Sequence, residues 1–263
     1  IRTPINAVIG MNEMILRESE DETVLGYAEN IKKASRNLLS IINDILDFSK
    51  IESGKMDITE QPYKLNDILL NVVNMIKIKA EKKNLMFVVS VSETLPNDLT
   101  GDDVRVSQIV LNLLNNAVKY TPIGSVFLDV SGEKTEQGVM LKFAVKDTGI
   151  GIKEEDISAL FQDFQRLDLT RNRNIEGTGL GLAITHRLAQ LMGGSINVSS
   201  VYGAGSEFTV VIPQKVNSDE VIGKFEENKI TASAKRKKYK ASFTAPEAEV
   251  LVVDDNSMNL MVV

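Results

Sequence analysis

One polar stripe in the sequence has the residue types that could hold a metal ion bound to phosphate. In the segment DDVRVSQIVLNLLNNAVKYT, Arg105, Gln108, Asn112, Asn116 and Lys119 follow one another at steps of three or four, which places them on one helix face. A solvated face is usually rich in Asp, Glu and Lys, whereas this one is built mainly from amides. Amide oxygens suit a Mg²⁺ ion that keeps water and phosphate oxygens, and Lys119 would balance phosphate charge. The stripe therefore favours a magnesium–phosphate site over an ordinary solvent-facing surface.

Two glycine-containing segments follow the stripe. KDTGIGI ends a predicted strand, so Asp147 lies where the chain leaves the sheet, and the two glycines after it allow a ligand close to the backbone. EGTGLGLAITHRLAQLMGG has three alternating glycines before a helix, where free amides and the helix dipole favour an anion. Taken alone, the Asp-Gly segment is also typical of a structural turn. The second segment has neither the P-loop spacing nor a dinucleotide-binding context. The glycines are Gly149, Gly151, Gly177, Gly179 and Gly181.

The apolar residues predict the elements that must carry these side chains. Steps of three and four predict one helix near residues 65–80 and place the stripe on another near 106–117. Alternation at period two predicts four strands, near residues 85–91, 126–130, 139–145 and 208–212. Because helices and strands are mixed without regular alternation, we expect an α+β fold with helices on one face of a largely antiparallel sheet.

A helical hairpin is predicted ahead of this α+β domain. An apolar seam runs from Thr23 to Lys50, and Ile1 to Arg17 predicts a shorter helix that Pro4 would bend near its start. Two antiparallel helices cannot bury such a seam alone. We therefore expect a homodimer in which two hairpins form a four-helix bundle.

Composition excludes several classes of protein. The net charge of −6 disfavours a nucleic-acid partner, and KRKKYK at residues 235–240 is interpreted as part of a linker, with a docking patch as the alternative. No apolar run approaches the ~18–20 residues of a membrane span, so no membrane segment is expected. With no cysteine, the chain has neither disulfides nor a thiol nucleophile. We expect a cytoplasmic location, whether or not the full-length protein is anchored to a membrane.

Taken in order, the motifs resemble those of the sensor histidine kinases of two-component systems over nearly the whole chain. NLLNNAVKYT resembles their N box, DTGIGI their G1 box, FQDFQRLD their F box and GTGLGLAI their G2 box, and IRTP resembles the end of the His-Glu-x-Arg-Thr-Pro H box. The resemblance implies an ATP-binding catalytic domain of the GHKL type, an α/β sandwich, after the dimerisation hairpin. The implied segments are 1–55 for the hairpin, 56–216 for the ATP-binding domain, 217–247 for a linker and 248–263 for the start of a receiver domain.

The same resemblance implies roles for individual residues, with ATP and Mg²⁺ as cofactors. Asn116 would bind Mg²⁺, Asn112 would face the reacting phosphate, and Lys119 and Tyr120 would contact the nucleotide. Asp147 would accept a hydrogen bond from the exocyclic amine of adenine. Arg166 would approach the γ-phosphate, the three glycines of the G2 box would close over the phosphates, and Thr209 would contact the adenine side. The remaining implied ATP-binding residues are Gly149, Gly151, Ile152, Thr178 and Leu180.

The two ends of the chain carry further expectations. By its place in the H box, the phosphoacceptor histidine would stand two residues before Ile1, so this fragment should be unable to phosphorylate itself. Thr3 would orient the water that dephosphorylates a partner, namely a downstream receiver or response regulator. VLVVDDNSMNLMVV resembles the start of a receiver domain of a hybrid kinase, in which Asp254 and Asp255 would hold Mg²⁺. His186, the one histidine of the chain, is interpreted as an ordinary helical residue.

Two other functions remain open at this point. A gyrase-like, chaperone-like or mismatch-repair-like ATPase of the same superfamily would need a carboxylate base, typically a Glu four residues before the magnesium Asn. Here that position is Asn112, which argues against water activation. The other alternative is a non-enzymatic dimeric module that binds nucleotide.

Overall fold

The computed structural model describes residues 2–136, 138–161 and 179–226. Within these ranges, residues 2–46 and residues 47–226 form two compact units. None of the described helices combines the length and the apolar composition needed to cross a bilayer.

The first unit is the predicted helical hairpin. Helix α1 spans Arg2–Glu18 and helix α2 spans Glu22–Glu52, so that residues 47–52 of α2 already belong to the second unit. Pro4 lies in the first turn of α1, where its missing N–H has no intrahelical partner to lose. The turn between the helices ends at Asp21, whose carboxylate accepts from the amides of Thr23 at 2.8 Å and Val24 at 3.2 Å. This is the arrangement of an N-cap, which starts α2.

Asn12 links the two helices of the hairpin. Its Nδ2 donates to the carbonyl of Ala28 at 2.8 Å, and both residues are buried. An ion pair of 2.9 Å between Lys32 and Glu13 joins the same two helices closer to solvent. The sequence pattern therefore correctly predicts both helices and their antiparallel pairing.

The second unit combines a mixed sheet of seven strands with four helices among the described residues. Its strands are β1 Gln61–Lys64, β2 Met86–Val91, β3 Asp98–Gly101, β4 Ser125–Thr135, β5 Gly138–Asp147, β6 Ser195–Val201 and β7 Gly205–Val216. Its helices are α3 Leu65–Lys82, α4 Asp103–Tyr120, α5 Glu154–Ile157 and α6 Gly181–Leu191. The strand order is β1-β3-β7-β5-β4-β2, with β6 on the other side of β7. The described pairings are antiparallel apart from that of β2 with β4.

One face of this sheet forms the core with α3, α4 and α6, each of which contacts strands. Along β5, alternate residues from Val139 to Val145 are buried, and Asp147 continues the same phase. The expectation of an α+β fold with helices on one face is confirmed. Strands β1, β3 and β6 were not predicted, because few of their residues are apolar and in phase.

Candidate functional site

The polar stripe of α4 lies on one helix face, as predicted, but its residues have different partners. At the start of α4, Arg105 Nη1 is 3.3 Å and Gln108 Nε2 is 2.9 Å from the same carboxylate oxygen of Asp47. Arg105 also donates to Gln108 Oε1 at 2.7 Å, so the three side chains form a closed, partly buried network. We call this network the Asp47 clasp. Because these groups bind one another, the first two turns of the stripe are not available to a phosphate.

The third residue of the stripe, Asn112, contacts helix α6. Its Nδ2 is 2.6 Å from Thr185 Oγ1, and Thr185 is buried. A Cβ atom on Gly181, one turn earlier in α6, would lie 2.5 Å from Asn112 Oδ1. Gly181 is therefore needed to leave room for the Asn112 side chain, in addition to any contact that its backbone makes.

The last two residues of the stripe remain open for a ligand. Asn116 and Lys119 are half-buried, and within the described residues the Asn116 side chain makes no hydrogen bond and Lys119 contacts no carboxylate. The Lys119 ammonium lies 4.8 Å from the centre of the Tyr120 ring, a cation–π contact. The stripe thus offers an amide oxygen and a cation on adjacent turns.

Lys79 of α3 and Lys83, the residue that follows α3, support the other side of this helix end. Lys79 Nζ donates to Asn115 Oδ1 at 2.6 Å, and Lys83 Nζ donates to the carbonyls of Val118 at 2.8 Å and Lys119 at 3.0 Å. Cations at a helix C-terminus are favoured by its dipole. Burial lowers the pKa of Lys79. These lysines hold α4 in place.

Asp147 ends β5 as a buried carboxylate. It is 5% exposed and accepts from the Gly149 amide at 2.8 Å. Burial raises the pKa of Asp147, against the opposing effect of hydrogen bonds from the Gly149 and Ser206 amides. A buried carboxylate that keeps acceptor capacity can recognise an N–H donor of a ligand.

The two glycines after Asp147 are explained by close packing. A Cβ on Gly149 would lie 2.4 Å from the carbonyl of Tyr120, and one on Gly151, whose φ is +65°, would lie 2.1 Å from that of Val201. The Ile150 amide donates to the same Tyr120 carbonyl at 3.2 Å. The loop after β5 is therefore attached to the end of α4, which brings Asp147 toward Tyr120.

Thr209 does not join this group. It pairs with Ala144 on the sheet face opposite to Asp147, because neighbouring side chains of a strand point to opposite faces. The residue paired with Asp147 is Ser206, which is buried and in phase with the apolar Phe208. The alternation of Ser206 with Phe208 is visible in the sequence. Ser206 replaces Thr209 as the candidate for the adenine-side contact on β7.

The remaining predicted site residues lie in different parts of the chain. Gly179 has φ +75°, which favours glycine, and Leu180 is buried, so its side chain anchors the start of α6. Ile152 is half-buried, and its amide donates to Ser200 Oγ at 2.8 Å. Thr3 is exposed in the first turn of α1, in the other unit. Arg166, Gly177, Thr178, Asp254 and Asp255 lie outside the described residues.

His186 stacks on Phe161 in the second unit. Their ring centroids are 5.1 Å apart and the ring planes differ by 28°. This contact fits the expectation that His186 is an ordinary helical residue that packs against its neighbours.

The arrangement has the chemistry of a magnesium–nucleotide site. The first amides of α6 have no intrahelical acceptor and suit an anion. Asn116 offers a neutral oxygen, Lys119 a cation and Asp147 a buried acceptor for a base. Among the described residues, no three His, Asp or Glu side chains gather as metal ligands. A Mg²⁺ ion here would therefore depend on Asn116, phosphate oxygens and water, which is a common set for this ion.

Comparisons with known proteins identify the family of the chain. Residues 1–54 match the model of the His Kinase A (phospho-acceptor) domain, and residues 101–216 match that of the histidine kinase-, DNA gyrase B-, and HSP90-like ATPase. The sensor protein GacS of Pseudomonas syringae pv. syringae is 41% identical over 80% of this chain and 23% of its own length. Hybrid signal transduction histidine kinase B of Dictyostelium discoideum is 38% identical over 81% of this chain and 11% of its own length.

The chain is also similar to a solved structure. The crystal structure of full-length ShkA in complex with AMPPNP superposes with a TM-score of 0.68 at 31% identity, over 82% of this chain and 44% of that one. The chain thus spans about a quarter or less of the two curated relatives described above. Since the two family models together match more than half of the chain, and the curated relatives above are named as sensor proteins or histidine kinases, the chain belongs to the sensor histidine kinases of two-component signal transduction and carries their ATP-binding domain.

Proposed function

We propose that this chain binds Mg·ATP and supplies the catalytic domain of a histidine kinase. This domain transfers the γ-phosphoryl group to the H-box histidine of a helical hairpin like that formed by α1 and α2. The observation that carries the proposal is the convergence of two segments on the second half of α4. The loop after Asp147 is attached to Tyr120, and the start of α6 surrounds the Asn112 side chain. The base site and the phosphate site are thereby joined through one helix.

The adenine end of the site is assigned to Asp147 and Ser206. An ionised Asp147 can accept from the exocyclic amine of adenine, whereas guanine has a carbonyl at that position. Because both carboxylate and carbonyl are acceptors, guanine would leave a buried acceptor unpaired and is rejected. This end of the site therefore sets the choice of nucleotide.

The phosphate end is assigned to Asn112, Asn116 and Lys119, with the first amides of α6. Asn116 would hold the Mg²⁺ ion, which would neutralise charge on the phosphates. Lys119 would bind phosphate oxygens, and the α6 amides would orient the group for in-line attack. Arg166, Gly177 and Thr178 are expected to complete this end.

In the transfer itself, an imidazole nitrogen forms a bond to the γ-phosphorus while the bond to the bridging β–γ oxygen breaks and ADP leaves. The accepting histidine is one that the 263 residues do not include, at the H-box position two residues before Ile1. A water-activating ATPase is disfavoured because the Asn112 amide cannot take a proton from water, as the corresponding carboxylate of those enzymes does.

Calorimetric titration of the chain with Mg·ATP and Mg·GTP tests the binding part of this function. We expect Mg·ATP to bind in the micromolar to millimolar range and Mg·GTP to bind much more weakly. Asn116→Asp and Gly179→Ala should both weaken Mg·ATP. If the unmutated chain binds neither nucleotide, the proposed function is wrong.

Transfer is tested with radioactive γ-phosphate. The present chain should stay unlabelled, and a chain extended by the His-Glu pair of the H box should acquire acid-labile label. Acid-stable labelling of the present chain would instead indicate a Ser or Thr acceptor.

Two partners belong to the same proposal. A second copy of the chain pairs through the hairpin, and a receiver domain accepts the phosphoryl group from the histidine. The word hybrid in the name of the Dictyostelium relative supports a receiver in the same polypeptide, which would include Asp254 and Asp255. Thr3 would act in the reverse reaction, the dephosphorylation of that receiver.

A further inference from the structure

The contact between Asn112 and Thr185 has no role in the proposed function as described so far. Thr185 lies on α6 and is 1% exposed, yet its hydroxyl faces α4 and lies 2.6 Å from Asn112 Nδ2. A buried hydroxyl that bonds a residue of the phosphate site is a candidate for positioning that residue.

The hydrogen bond defines the orientation of the amide in the structure. Asn112 Nδ2 donates to Thr185 Oγ1, so Oδ1 points away from Thr185. Replacing the hydroxyl with an apolar group would leave Nδ2 without this acceptor.

Gly181 leaves the space that this orientation requires. Asn112 Oδ1 lies where a Cβ of residue 181 would approach within 2.5 Å, and Nδ2 would be 3.1 Å from that same Cβ. The φ of Gly181 is outside the left-handed region, so the backbone conformation itself does not demand glycine. One turn of α6 thus offers a hydroxyl for Nδ2 and an open space for Oδ1.

We propose that Thr185 is a positioning residue, which holds the Asn112 amide so that its oxygen is presented at the start of α6 toward the Mg²⁺–phosphate group. This inference rests on the proposed function, because it assigns that place to the phosphates. Thr185 touches neither nucleotide nor metal and acts through Asn112 alone.

The chain offers a matched pair of variants to test it. Thr185→Val keeps the branched shape in the buried site and removes the hydroxyl, whereas Thr185→Ser keeps the hydroxyl and removes a methyl group. If Thr185 had a purely structural role, Thr185→Ser would reduce the affinity for Mg·ATP at least as much as Thr185→Val, since only serine leaves a small cavity. If Thr185 positions Asn112, Thr185→Val should reduce the affinity more than Thr185→Ser.

The first measurement uses nucleotide-free protein and reports on orientation alone. The side-chain amide signals of Asn112, assigned by their loss in Asn112→Asp, should shift in Thr185→Val and exchange faster with water. In Thr185→Ser they should stay close to their original positions. Unchanged Asn112 signals in the valine variant would overturn the proposal.

The second measurement is calorimetric binding of Mg·ATP and of ATP with excess EDTA. We expect Thr185→Val to weaken Mg·ATP about three- to tenfold, the range of one hydrogen bond, and Thr185→Ser to change it less than about twofold. Metal-free ATP should bind equally to all three proteins. Equal losses in both variants, or the same loss without Mg²⁺, would contradict positioning.

The two measurements separate this inference from the proposed function. If the unmutated chain binds no Mg·ATP, the proposed function fails and takes with it the role of Thr185 toward phosphate. The amide signals still decide whether Thr185 orients Asn112.

Discussion

The Asp147 carboxylate is 5% exposed at the end of β5, where burial raises its pKa and backbone amides of Gly149 and Ser206 partly compensate. Because its folded pKa lies above the unfolded value, the folded chain binds more protons between these two pKa values than the unfolded chain does. The contribution of this group to the free energy of unfolding therefore falls as pH rises through that window. The charge needed to bind adenine thus opposes folding at neutral pH.

Asp147→Asn should separate binding from stability. Removing the charge abolishes the best acceptor for the adenine amine, so Mg·ATP should bind about five- to 150-fold more weakly, since an unmatched buried polar pair costs ~1–3 kcal/mol. The same change removes the buried charge, so the free energy of unfolding at pH 7 should not fall. Calorimetry and urea unfolding from pH 4 to pH 7 measure both. Asp129→Asn, on an exposed position of β4, is the control.

Ser206 and Thr209 provide a test of which face of β7 meets the nucleotide. Ser206 is paired with Asp147, whereas Thr209 lies on the opposite face of the sheet. Ser206→Ala should weaken Mg·ATP about three- to tenfold through loss of one hydrogen-bonding group, and Thr209→Ala should leave the affinity unchanged. The opposite result in calorimetry would restore Thr209 as the adenine-side residue.

Helix α4 illustrates how far spacing alone predicts a site. The steps of three and four correctly predict that five polar residues share one helix face, because this follows from helix geometry. Spacing does not tell which neighbour covers each turn of that face. Asp47 covers the first turns and Thr185 the third, and both are distant in sequence from the residues they contact. Asn116 and Lys119 are left uncovered, and Asn112 contributes only its Oδ1 to the proposed phosphate site.

The Asp47 clasp joins the last turns of α2 to α4 within the second unit, and Phe48 and Ile51 pack against the same core. Asp47→Ala leaves the partly buried Arg105 and Gln108 without their shared acceptor. We expect the free energy of unfolding of the second unit to fall by about 1–3 kcal/mol, the cost of unpaired buried polar groups.

Binding provides the contrast for this prediction. The clasp lies on the turns of α4 that we exclude from the phosphate site, so Asp47→Ala should bind Mg·ATP with unchanged affinity at a temperature where the second unit is folded. Glu20→Ala, on the exposed turn between α1 and α2, serves as the control for loss of a carboxylate. A large loss of affinity in Asp47→Ala would mean that Arg105 or Gln108 belongs to the nucleotide site.

The hairpin as a whole leaves two apolar rows uncovered. On α1 the row is Val8 and Ile15, and on α2 it is Val24, Ile31, Leu38 and Ile45. Members of each row are seven residues apart, and all of them are 38–48% exposed. A sustained seven-residue repeat is the spacing at which helices of a bundle meet, so a second copy of the hairpin is the partner that these rows fit. The sequence predicted the seam, and the structure divides it into a buried part around Ala28 and Ser35 and an exposed part.

Leu38→Asp should dissociate the proposed dimer without unfolding the hairpin. In one chain the side chain is half-exposed, so a carboxylate there is tolerated, whereas in a two-fold symmetric bundle the substitution places a charge in the interface twice. Losing two buried leucines at ~1.5–3 kcal/mol each should raise the dimer dissociation constant by roughly a hundredfold or more, which sedimentation equilibrium measures.

Lys33→Asp, exposed on the same helix but outside the row, should leave the mass at that of two chains. The proposed nucleotide-binding residues lie in the second unit or outside the described residues, so the Leu38→Asp monomer should still bind one Mg·ATP per chain. An unchanged mass for Leu38→Asp, or a monomeric unmutated chain, would contradict this assembly.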